Sequence, residues 1–164
     1  MRTLLVLRHA KSSWKDSELA DHDRPLNKRG KKNAPVMGSL IKKESITPQW
    51  MASSTALRAR MTAEAVAEAS GYSGMIDFVE ELYLAQPSEI LEILRRRAPN
   101  AATRILTVGH NPGLEELVGK LTARKEPFPT AALAQIELPI ESWNELTMSL
   151  RGKLVQLWRP RDID

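Results

Sequence analysis

The segment Leu4-Leu5-Val6-Leu7 is uniformly apolar but only four residues long, and Arg8 and His9 close it at once. A run that short and that uniform fits a strand covered on both faces, which requires helices on each side of the sheet it joins. With Thr3 added at its start it is the first of several. Strand-length runs at Trp50–Ser53, Met75–Val79, Ile105–Val108, Leu133–Leu138 and Leu154–Trp158 follow, the first four of the chain alternating with helix-period segments. Asn27 can cap a helix toward Lys43 with Val36, Met37, Leu40 and Ile41 as its apolar stripe, and Pro35 predicts a kink or a late start there. An alanine-rich helix from Thr55 to Ser70 can end at a left-handed Gly71, and a third helix opens at Pro87 or Ser88 and stops at Pro99. Asn111-Pro112 reads as a cap followed by proline at the first helical position. The expected fold is α/β: a single-domain, three-layer α/β/α arrangement, with a mostly parallel sheet and helices on both faces, filling residues 1–164. A chain of 164 residues buries roughly 70% of its unfolded surface without disulfides or metals.

Composition narrows the function classes. With 42% hydrophobic and 27% charged residues, neither wholesale disorder nor a membrane protein fits. Arg8 breaks the first apolar run, and no later stretch approaches the ~18 apolar residues of a spanning helix. The absence of cysteine excludes disulfides, thiolate metal sites and a cysteine nucleophile, and leaves the cytoplasm as the default compartment. A charge of +4 biases the chain mildly toward anionic partners but falls short of a nucleic-acid signature, so neither nucleic acid nor membrane is an expected partner.

The residues at the strand ends carry the chemistry. Strand one delivers Arg8 and His9, the Trp50 strand delivers Ser53 and Ser54 with Arg58 one turn into the next helix, and the Ile105 strand delivers Gly109 and His110. Ligands of open α/β sheets bind outside the carboxyl ends of the strands, where helix starts offer free N–H groups to anions. Two arginines and two imidazoles converging there make a phosphate cradle, because guanidinium forks match phosphate oxygens and imidazole serves as nucleophile, acid or base near neutral pH.

These segments resemble the histidine phosphatase superfamily, the phosphoglycerate mutase-like fold. Leu7-Arg8-His9-Ala10-Lys11-Ser12-Ser13-Trp14 is similar to its Arg-His-Gly motif with alanine in the glycine place. Ser54 to Thr62 resembles its second-arginine motif, Gly109-His110 its second-histidine motif, and Arg24-Pro25-Leu26-Asn27-Lys28-Arg29-Gly30 the turn opening its first helix. The short length, Arg-His-Ala, Asp21-His22-Asp23-Arg24-Pro25-Leu26 and Gly109-His110-Asn111-Pro112-Gly113 look most like the SixA-type phosphohistidine phosphatases. The resemblance implies a cytoplasmic, metal-independent hydrolase of signal transduction, with no cofactor. It further implies that His9 attacks phosphorus to form a transient phosphohistidine, while Arg8, Arg58 and His110 complete the catalytic, phosphate-binding set. The substrate is then a phosphorylated protein, such as a histidine-containing phosphotransfer protein, or a small phosphorylated compound. The alternatives are a small-molecule phosphomonoesterase of the same superfamily and a noncatalytic phosphate-binding module.

Ester-cleaving relatives use a carboxylic acid to protonate a departing alkoxide, whereas imidazole, whose conjugate acid has a pKa near ~6.5, needs less help. Glu80 and Glu81 read as exposed charges before Leu82-Tyr83-Leu84, and Asp16, Glu18, Asp21 and Asp23 are further candidate acids. Ser12, Trp14 and Lys15 are candidates for substrate contact. Asp21-His22-Asp23 reads as a solvated loop rather than a metal site. Arg24, Lys28, Arg29, Lys31 and Lys32 read as the exposed face of a capped helix, with docking of an acidic phosphoprotein as the functional alternative. Trp50, Trp143 and Trp158 are expected to serve packing.

Overall fold

A computed structural model describes residues 1–163. Its centre is a six-stranded sheet in the order β3-β2-β4-β1-β5-β6, formed by β1 (Arg2–Arg8), β2 (Trp50–Ser54), β3 (Ile76–Val79), β4 (Arg104–Gly109), β5 (Leu133–Leu138) and β6 (Lys153–Trp158). The pairs β1·β4, β2·β4 and β2·β3 are parallel, and β5 and β6 add antiparallel strands beyond β1. Four helices complete the fold: α1 (Lys28–Lys43), α2 (Leu57–Ser70), α3 (Pro87–Arg97) and α4 (Gly113–Thr122). No helix among the described residues is long and apolar enough to cross a membrane.

The apolar run of β1 is divided between two cores by the alternation of a strand. Leu5 and Leu7 join Met37, Ile41, Ala59, Ala63 and Val66 of α1 and α2 on one face. Leu4 and Val6 join Ile90, Leu94, Leu114 and Leu117 of α3 and α4 on the other. Three layers result, so the central strands are apolar without interruption because neither face meets water. Trp143 is buried and donates its indole N–H to the Ala102 carbonyl at 2.7 Å, while Trp50 and Trp158 pack at the core margins.

Local signals behave as their chemistry dictates, with two corrections. Asn27 caps α1 by accepting from Gly30 N–H at 2.9 Å, and Gly71 ends α2 at φ +78°. The late start expected from Pro35 is not found, since α1 begins at Lys28 and runs through it. Pro35 and Lys31 both lie on the exposed face, so the Lys31 carbonyl that loses its donor is on the solvent side of the helix. Asn111 does not precede a helix with proline at its first position either. Pro112 stands before α4, which starts at Gly113, while the Asn111 side chain accepts from Glu115 N–H at 3.2 Å and donates to the Phe128 carbonyl at 2.8 Å.

Candidate active site

Strand register assembles the site. Arg8 pairs with Gly109 across β1 and β4, which sets His9 beside His110, and Ser53 pairs with Val108, which brings Ser54 to the same edge. A cavity of about 360 Å³ opens there, lined by Arg8, His9, Arg24, Arg58, His110 and Asp21 at its polar heart. The fold brings Arg8, His9, Arg58 and His110, the four groups expected at the strand ends, into one cavity.

His9 is 6% exposed, and its ring is held in one tautomer. Nδ1 lies 2.7 Å from the Ala10 carbonyl, which can only accept, so Nδ1 carries the proton. Nε2 is left with its lone pair, to which Arg58 Nε donates at 3.4 Å. Burial first, and then the charges of Arg58, Arg8 and Arg24, push the His9 pKa down to about 4. His110 stands 5.1 Å away, ring to ring, and shares a hydrogen bond between Nε2 and Ser54 Oγ at 2.8 Å. Its Nδ1 is buried without a protein partner. Burial, followed by His9 and Arg58, lowers its pKa to about 3. Both imidazoles are accordingly neutral at neutral pH.

The arginines are built in with equal care. Arg58 is 4% exposed in the first turn of α2. That helix is tied to the segment after β1 through Thr62, whose Oγ1 donates to the Arg58 carbonyl at 2.7 Å and accepts from Ala10 N–H at 3.0 Å. Arg8 Nη1 donates to the Phe128 carbonyl at 3.3 Å, and its buried Nε has no protein partner. Both arginine side chains line the cavity, and the guanidinium of Arg8 there matches the oxygens of an oxyanion.

Several assignments change with the structure. Arg24 is not on a solvated helix face: it is buried before α1, donates to Ser12 Oγ at 2.6 Å and to the Ser13 carbonyl at 3.0 Å, and lines the cavity. Asp21-His22-Asp23 is a 3-10 turn with both acids exposed, as a solvated segment would be, but the side chains of Asp21 and His22 are engaged. His22 Nε2 bonds Thr55 Oγ1 at 2.8 Å, and Asp21 accepts from Arg24 Nη1 and Arg58 Nη2 at 2.9 Å each, as well as from the Tyr83 hydroxyl. The hydrogen bond from Tyr83, then those from Arg24 and Arg58, hold the Asp21 carboxyl far below the usual carboxylate range. Ser12 and Trp14 line the cavity, whereas Lys15 does not and Lys11 does. Glu80, Glu81, Asp16, Glu18 and Asp23 are exposed and absent from its lining. Among the described residues no group of three or more His, Asp or Glu side chains is placed to hold a metal ion.

Arg24, Tyr83 and Thr62 belong to the site without having been expected there, and Asp21, expected only as a candidate acid, is an acceptor for Arg24, Arg58 and Tyr83. Arg24 and Thr62 stood within quoted motif segments, which was the available signal; the contacts of Tyr83 with Asp21 and His110 are tertiary and have none.

A doubly covered sheet with imidazole and guanidinium groups gathered at its strand ends defines an α/β protein that handles phosphoryl groups. The chain belongs to the histidine phosphatase superfamily (branch 1), whose sequence profile matches residues 4–83. An uncharacterized chloroplastic protein of Arabidopsis thaliana is 33% identical over 88% of this chain and 70% of its own. Among solved structures, a protein of Agrobacterium tumefaciens provisionally assigned as the phosphohistidine phosphatase SixA superposes with a TM-score of 0.81 at 26% identity, covering 97% of this chain and 98% of that one. A provisionally assigned SixA of Nakamurella multipartitia gives 0.85 at 26% identity, covering 97% and 96%. The chain is SixA-like in fold and extent.

Proposed function

We propose that this protein hydrolyses phosphohistidine in proteins through a covalent phosphohistidine on His9. His9 Nε2 forms the new bond to phosphorus as the bond from phosphorus to the departing imidazole nitrogen breaks, and the bonding pair leaves with that nitrogen. Water then attacks phosphorus, the new O–P bond forming as the P–Nε2 bond breaks and its pair returns to Nε2, and inorganic phosphate leaves with the oxygen and protons of that water. The Ala10 carbonyl supports the reaction by accepting from Nδ1–H as positive charge grows on the ring. Arg8, Arg24, Arg58 and His110 surround the phosphoryl oxygens as lining residues of the cavity. Three guanidinium groups supply the charge neutralisation that phosphoryl transfer needs, so we propose that activity requires no metal or other cofactor and survives a strong chelator. Residues 1–164 act as one catalytic domain, in cytoplasmic signal transduction, on a partner such as a histidine-containing phosphotransfer protein.

One observation carries the substrate assignment. Asp21 is the sole carboxylate among the cavity-lining residues, and three donors keep it ionised. An ionised, fully engaged carboxylate has no proton to give an alkoxide, and a positioned acid is typically worth about 10² to 10⁴-fold to such a leaving group. The site therefore favours leaving groups that depart unaided. Aryl phosphates and phosphoramidates of rising leaving-group pKa test this directly. The rate should fall steeply along the series and remain substantial for the P–N substrates. A shallow dependence that a single carboxylate substitution makes steep would assign the protein as a small-molecule phosphomonoesterase instead.

A further inference from the structure

The cavity mouth carries apolar and basic groups that neither the cradle nor the core requires. Trp14 is 75% exposed, with one ring face against Arg24, whose Cζ lies 3.2 Å from the ring centroid. Leu84 is 54% exposed and held at φ +53°, in the left-handed region that a leucine enters only at a cost in strain. Both line the opening, yet they come from different strands, Trp14 from the loop after β1 and Leu84 from the segment after β3. Exposed large apolar groups held at a polar opening mark a surface that another molecule covers.

The charge around them is mixed but net positive. Between residues 11 and 32 there are seven Lys and Arg against four Asp and Glu, a net +3 out of the chain's +4. The first turn of α1 is locked against the cavity wall: Asn27 N–H donates to the Lys11 carbonyl at 2.9 Å, and a Cβ on Gly30 would lie 2.1 Å from the same oxygen. Lys28, Arg29, Lys31 and Lys32 are exposed on that end of α1, and Lys11 is exposed as well. None of these five forms an ion pair among the described residues. A small phosphorylated compound would be engulfed by the cradle and would touch little of this rim.

We infer that the rim formed by Trp14, Leu84 and the first turns of α1 is a docking surface for the acidic face of a phosphoprotein, which seats its phosphorylated side chain in the cavity. The inference rests on the phosphatase reading above and names the partner chemistry of that site. Apolar anchors set the position, and the basic turns steer an acidic partner and reject a basic one.

The test compares kcat/KM for an acidic histidine-phosphorylated protein with that for phosphoramidate, the smallest P–N substrate, at rising salt. Lys28→Glu with Lys31→Glu removes the steering, and Leu84→Asn removes an anchor while asparagine tolerates the backbone angle. Trp14 is a less clean probe, because it also packs on Arg24. Roughly tenfold losses on the phosphoprotein, with phosphoramidate within about twofold of wild type, are expected, since rim charges act on the encounter of macromolecules. The wild-type phosphoprotein rate should also fall with salt, and the charge-reversed variant should lose that dependence. Equal losses on both substrates, or none on the phosphoprotein, would overturn the docking surface while leaving the phosphatase reading intact. Failure of wild type to hydrolyse either substrate would overturn that reading itself.

Discussion

Arg58 is held at both ends of its guanidinium by one residue: Nη1 donates to the Asp21 carbonyl at 2.7 Å and Nη2 to the Asp21 carboxylate at 2.9 Å. That grip leaves Nε free to face His9, and it couples the loop after β1 to α2 across the cavity. Asp21 is thus a positioning residue rather than an acid. Asp21→Asn should lower turnover by about 10-fold or more, because one hydrogen bond to a charged donor is weakened and the arginine loses its register. The loss should be the same for good and poor leaving groups. A loss that grows with leaving-group pKa would show Asp21 to be a proton donor.

Arg58 itself cannot be replaced by charge alone. Arg58→Ala should cost on the order of 10²-fold or more in turnover, as removal of a charge-stabilising donor does. Arg58→Lys should recover only a small part, since the three donors of an ammonium sit on one nitrogen and cannot span the two Asp21 acceptors and His9 as the planar guanidinium does. Full rescue by lysine would reduce the role of this group to a point charge.

The depressed imidazoles set the pH behaviour. His9 must be neutral to attack, and with its pKa at about 4 the kcat/KM profile, corrected for substrate ionisation, should lose activity only as pH falls through about 4. An acid limb near the ordinary histidine value of ~6.5 would contradict the assigned tautomer and burial. Stability runs the same way. The unfolded chain takes up protons below ~6.5, whereas folded His9 and His110 resist until about 4 and about 3. Denaturant midpoints should therefore fall between pH 6.5 and 4, and His9→Asn should flatten part of that slope.

The sheet and its four selected side chains were legible because each rests on local grammar. Short apolar runs, Asn27 as a cap and Gly71 as a left-handed stop are decided within a few residues, and the rule that ligands gather at strand ends then located Arg8, His9, Arg58 and His110 together. What escaped depends on side chains meeting across the fold. Arg24 lies in a basic run and looks solvated until Ser12, Ser13 and Asp21 enclose it. Asp21 looks like one acid among several until Tyr83, 62 positions away, bonds it. Lys11 and Trp14 line the cavity and Lys15 does not, in a segment held by the pairing of Ser12 with Leu26, a register that no single segment encodes.

Gly113 offers a test of how the site is braced. A Cβ there would lie 2.0 Å from the Ala85 carbonyl, so α4 and the segment carrying Tyr83 and Leu84 can approach only with glycine at this position. Gly113→Ala should destabilise the fold by about 1 to 3 kcal/mol, as overpacking against rigid backbone does, and should impair phosphoprotein turnover in the surviving enzyme. Unchanged denaturant midpoints would show that the two segments are free to separate.

The account turns on His9 becoming the phosphorylated group, and rapid-quench trapping addresses that directly. Wild-type protein mixed with a histidine-phosphorylated protein and quenched in base within milliseconds should carry acid-labile, base-stable phosphate on one peptide, with the label on His9. His9→Ala should form no such species and turn nothing over while keeping its fold. Phosphate release with no label on His9, or full activity in His9→Ala, would contradict the mechanism.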